Sequence, residues 1–166
     1  MPDKRLTTGH VSFWNQRLVE WSMLALVIVL LLGVLAYKVR ELHAQAELAA
    51  VRSTLGNLRT AFVLDHLRRS VPSGAGAAVQ NNPFELLEHR QPNYFGEASA
   101  AQALAAPAGS WVFDAACVCV GYLPLGTEWL QSPTGDVMAW YQISGAPGPL
   151  QLTAREAYVW QGQVMN

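Results

Sequence analysis

Charge is scarce in this chain. Only 14% of its 166 residues are Asp, Glu, Lys or Arg, and eleven basic against twelve acidic residues leave a net charge of -1. A chain without basic excess lacks the field that a polyphosphate partner demands, so nucleic acid is not an expected partner. Cysteine is scarcer still. Cys117 and Cys119 are too few for a disulfide-stapled mini-protein and too close together for a four-ligand zinc site. No proline stands between Asp3 and Pro72, so nothing of that kind interrupts a helix there. Signatures of catalysis are missing as well: there is no nucleophile elbow, no phosphate loop, and no second histidine to turn Glu85, Glu88 and His89 into a metal motif. The expectation is a non-enzyme with no catalytic residue, no metal and no cofactor. Asp114 has no partner acid, base or nucleophile and reads as a strand-end hydrogen-bond acceptor.

What is abundant is apolar surface, at 51% of residues. From Trp21 to Tyr37 no charge appears, and at 1.5 Å per residue that stretch makes a helix of about 26 Å, close to the roughly 30 Å of bilayer hydrocarbon. Trp21 and Tyr37 sit at its ends, where aromatic rings favour the interface, and Arg17, Lys38 and Arg40 flank it. The reading is one transmembrane helix, residues 16–38. A cleaved signal peptide is its competitor, because Ala44-Gln45-Ala46 has the small-x-small form, but the apolar core is too long and the site too far beyond it. Flanking charges nearly tie, and the short polar segment 1–15 reads as the cytoplasmic end of a retained anchor. In a bacterium, that orientation leaves the carboxy-terminal part in the periplasm.

The helical pattern continues beyond the span. Leu48, Val51, Leu55, Leu58 and Phe62 recur at alternating three and four spacing, which predicts one long helix from about Gln16 to Arg69 with an amphipathic half over 39–70. Residues 71–109 read as a variable loop region. Inside it, Asn82-Pro83-Phe84-Glu85 predicts a helical turn with Asn82 as cap and Pro83 at the first position, whereas Pro92 to Glu97 reads as irregular. Over 110–166, runs rich in β-branched and aromatic residues (Ser110–Asp114, Cys117–Leu123, Val137–Ser144, Leu150–Thr153, Ala157–Val164) alternate with Gly, Pro and Asp clusters. Four or five antiparallel strands are expected, giving an α+β fold.

In this order of parts the chain resembles the type IV pilin and type II secretion pseudopilin family. Leu18-Val19-Glu20-Trp21-Ser22-Met23 looks like the family's entry into the membrane helix and places Glu20 on the glutamate at the fifth mature position. Asn82-Pro83-Phe84-Glu85-Leu86-Leu87, Pro92-Asn93-Tyr94-Phe95-Gly96-Glu97 and Gly109-Ser110-Trp111-Val112-Phe113-Asp114 look like runs of minor pilin-like proteins, including accessory proteins of mannose-sensitive haemagglutinin-type pili. The resemblance implies a pilin-like fold and a minor component of a type IV pilus or secretion pseudopilus. Its partners would be other pilins or pseudopilins, inner-membrane assembly platform proteins and membrane lipid. Asn15 and Gln16 replace the family's glycine and phenylalanine at the cut, so no prepilin processing is expected and the chain would stay in the inner membrane.

The candidate interaction residues are therefore Glu20, Leu18 and Val19. Glu20 reads equally well as a partner for a neighbouring subunit's amine and as an interfacial glutamate satisfied by Arg17 or headgroup water. Cys117 and Cys119 share a face if the segment is a strand. Small core residues are the first reading of the pair, a local disulfide the second, and metal binding a remote third. Trp111, Trp129, Trp140 and Trp160 read mainly as core or sheet-face residues; any left exposed would form, with the loop Thr127–Asp136, an aromatic surface for another pilin-like subunit. A periplasmic ligand-binding or partner-recruiting domain on a single anchor is the rival class of function.

Overall fold

The computed structural model describes residues 11–70, 82–145 and 150–165, with side chains from residue 16 onward. Two compact units divide the chain, Met1–His43 and Ala44–Asn166. Helix α1 spans Val11–Ser70. It starts a few residues before the expected Gln16, and Val11 to Gln16 holds neither Gly nor Pro to stop it. At its other end, Arg68 and Arg69 occupy the last turn, where a positive charge suits the helix dipole, and Arg69 pairs with Asp65 at 2.6 Å.

In the first unit α1 is long and apolar enough to cross a membrane, and no part of that apolar window is buried within the protein. A helix that is apolar all round needs an apolar surrounding to cover it.

In the second unit the helix buries the predicted seam. Leu48, Val51, Leu55, Leu58 and Phe62 are all buried, together with Ala44. They face a five-stranded sheet ordered β1-β2-β3-β5-β6, formed by Tyr94–Glu97, Trp111–Asp114, Cys119–Tyr122, Ala139–Ser144 and Gln151–Ala154. A smaller sheet, β4-β7-β8, comprises Leu130–Gln131, Tyr158–Trp160 and Gln163–Met165. The α+β expectation is met, with three amendments. The irregular segment Pro92–Glu97 supplies β1, which pairs parallel with β2 and makes the sheet mixed. The connection between them carries helix α2 (Ala100–Ala103), the crossover that a parallel pair requires. The single strand expected over Ala157–Val164 is a hairpin, because Gln161 and Gly162 both take positive φ (46° and 81°) and turn the chain in two residues. The loops expected over Val71–Ala78 and within Gly145–Pro149 lie wholly or largely outside the described residues.

Strands β2 and β3 are buried on both faces. Trp111, Phe113, Val120 and Tyr122 point into the cluster that holds the helix seam. Val112 and Cys119 point the other way, into a second cluster with Ala103, Ala106, Leu123, Met138 and Trp140. On that face Gly121 lies opposite Trp140 in the β3–β5 register, and a Cβ on Gly121 would come within 2.6 Å of the Trp140 ring. The absent side chain is what allows the indole to lie flat across β3.

Candidate functional site

Leu18, Val19 and Glu20 are all exposed on α1 in the first unit. Consecutive helical residues point about 100° apart, so the three do not form one face; Glu20 and Leu18 lie about 200° apart around the axis. The cysteines belong to the second unit.

The most unusual polar group of the second unit is one that the sequence reading passed over. Glu47 sits on the α1 seam one turn before Val51, and only 7% of its surface is exposed. Its Oε1 accepts two hydrogen bonds, from the Tyr122 hydroxyl at 2.7 Å and from the Leu125 backbone N–H at 2.8 Å. Its Oε2 is buried without a partner among the described residues. Burial pushes the Glu47 carboxyl above the usual carboxylate range, against the two donors that favour the charged form. Burial and the adjacent Glu47 push the Tyr122 phenol upward as well, so the tyrosine stays a donor. One turn away, the Trp160 indole donates to the Ala44 carbonyl at 2.9 Å. Together these bonds tie the start of the seam to β3, β7 and the loop after β3. A lone Glu between Ala46 and Leu48 carries no motif that could have announced this; the only available signal was its position on the 3–4 seam.

Three of the runs that carried the resemblance, Asn82–Leu87, Pro92–Glu97 and Gly109–Asp114, fold onto one another in the second unit. The Asn82 Oδ1 caps the turn Pro83–Leu86 by accepting from Phe84 N–H at 3.1 Å, as its position before Pro83 predicts. The Asn82 Nδ2 donates to the Tyr94 hydroxyl at 2.8 Å and to Glu97 Oε1 at 3.1 Å. Phe84 stacks on Tyr94 with centroids 4.2 Å apart, and an aromatic chain continues through Trp111, Tyr122 and Trp160 to Trp129. Asp114 accepts from Ala100 N–H and Ala116 N–H at 3.0 and 2.9 Å, the strand-end role expected of it. Trp111, Trp140 and Trp160 are buried and Trp129 is half-buried against Trp160, so all four take the core or sheet-face role.

The cysteines flank a turn. Cys119 opens β3 and is fully buried, whereas Cys117 precedes the strand and is half-buried, so they do not share a strand face. Their sulfurs are bonded, with Cα atoms 5.2 Å apart. Of the two, only Cys119 holds a core position. Val118 between them has φ of 54°, a left-handed conformation that costs a β-branched residue about 1–2 kcal/mol. Among the described residues no group of three His, Cys, Asp or Glu side chains is placed to hold a metal ion.

Compared with protein-family models, curated proteins and solved structures, the chain matches none of them.

Proposed function

We propose that this protein is a non-enzymatic, minor pilin-like or pseudopilin-like component that helps to assemble or initiate a type IV pilus or a type II secretion pseudopilus. In this reading it remains in the bacterial inner membrane without prepilin processing, its amino terminus cytoplasmic and its sheet unit periplasmic. The observation that carries the proposal is the double use of α1: one uninterrupted helix is an exposed apolar stretch in its first half and the buried spine of a small α+β unit in its second. Leu18-Val19-Glu20 at the start of the apolar stretch supports it, because an exposed carboxylate at a membrane boundary calls for a cationic partner or headgroup water. The partners are other pilins or pseudopilins and the membrane helices of an assembly platform, with lipid around the span.

Mass spectrometry of the mature amino terminus, in inner-membrane and sheared-fibre fractions, tests the retention. A terminus that keeps residues before Gln16, found in membranes only, is the expected result. A chain starting at Gln16 in fibres overturns retention, and a soluble chain starting at Glu47 overturns the anchor. For the assembly role, deleting the gene should reduce fibre number or pilin export; unchanged fibre number, length and export would sink it.

A further inference from the structure

We infer that Cys117–Cys119 is an exchange site: a disulfide that accepts electrons reversibly from dithiols, by attack at Cys117, while the sheet around it stays folded. Four observations carry this. The bond closes over a single intervening residue, so it removes little freedom from the unfolded chain and gains little stability from doing so. Val118, the residue the ring closes over, is held in a left-handed conformation that β-branched residues avoid. The two sulfurs are unequal in access, since Cys117 is half-buried and Cys119 is fully buried in the cluster with Met138 and Trp140. An incoming thiolate therefore has the more open approach at Cys117. Finally, bonds that do not involve sulfur hold the turn. The Gln142 amide donates to the Cys117 carbonyl at 2.7 Å, Ile143 N–H donates to the Val118 carbonyl at 3.1 Å, and Ala116 N–H donates to Asp114. The opened thiols stay side by side, ready to close again.

The reaction balances with a dithiol as reductant, either a small molecule or a thiol–disulfide oxidoreductase. Its thiolate attacks Cys117 Sγ, the Cys117–Cys119 bond breaks, and its electron pair leaves on Cys119 Sγ, which takes up a proton. A second thiol, on the same reductant or, with glutathione, on a second molecule, then attacks the reductant's sulfur in the mixed disulfide and releases Cys117 as a thiolate, which is protonated in turn. The dithiol ends as a disulfide, and the protein gains two electrons and two protons.

The test equilibrates the detergent-solubilised full chain in buffers of reduced and oxidised glutathione, then quenches with acid, alkylates and weighs the products, with circular dichroism recorded in parallel. The expected result is a reversible transition from disulfide to dithiol within the glutathione series, without loss of the folded signal. With Cys119→Ser, Cys117 should form a mixed disulfide with glutathione at least about tenfold faster than Cys119 does in Cys117→Ser. Reduction seen only after denaturant is added, free thiols in fully oxidised buffer, or equal rates in the two variants would each overturn the inference. The wild-type transition decides the matter even where a serine variant fails to fold.

Discussion

Burial acts on Glu47 in one direction and its two hydrogen-bond donors in the other, and burial is the larger effect. A carboxyl whose folded pKa is raised stabilises the fold fully below its unfolded pKa of about 4.5, and that contribution is lost as pH rises towards and past the folded value. The wild-type chain should therefore lose stability over that interval relative to Glu47→Gln, which keeps the acceptor for Tyr122 and Leu125 without a charge. At pH 7 the variant should be as stable as the wild type or more stable by about 1 kcal/mol. Thermal unfolding of both chains across pH checks this, and a variant distinctly less stable at neutral pH would contradict it. Gly121→Ala is expected to act in the opposite sense. The new Cβ would fall 2.6 Å from a ring that is itself buried in one cluster with Met138 and Ala103, so a loss of about 1–3 kcal/mol should appear as a lowered melting temperature. Neither residue was legible as special in the sequence: burial of Glu47 and the crossing of Gly121 by Trp140 depend on strands distant in the chain.

The outer half of α1 shows how much an element's own pattern reveals. Its seam of Leu48, Val51, Leu55, Leu58 and Phe62 was readable because helical period alone places those residues on one face, and that face is the buried one. Leu58→Ala should cost about 2–5 kcal/mol, whereas Leu64→Ala, 48% exposed on the same helix, should stay within about 0.5 kcal/mol. Comparable losses at both positions, measured by denaturant unfolding, would show that the seam is not the buried face. The turn capped by Asn82 was readable for a similar reason, since cap and proline act within four residues. Strand β1 was not. Tyr94-Phe95-Gly96-Glu97 contains a glycine and a charge, and it is a strand because β2 offers a free edge beside it. The split of Ala157–Val164 into β7 and β8 hinges on two positive φ values, of which only the Gly162 one had a residue type to signal it.

At the scale of the whole molecule, the apolar half of α1 dominates behaviour in solution. The chain should remain with membranes after alkaline carbonate extraction, and the double substitution Val27→Arg with Leu30→Arg should release it, since each central arginine costs about 2.5–3.5 kcal/mol of insertion. Release of the wild-type chain would remove the span. The sequence alone determined the features that act over one turn or one periodic stretch: the apolar run, the seam, the Asn82 cap, the α+β order of parts. Local spacing decides these, whatever the rest of the chain does. Tertiary structure decided the parallel pairing of β1, the second sheet, and the burial of Glu47 with an orphan oxygen. Each arises from contact between residues far apart in the chain, such as Glu47 with Tyr122 or Trp160 with Ala44. The free energy of such a contact depends on what packs around it, and no single segment carries that information.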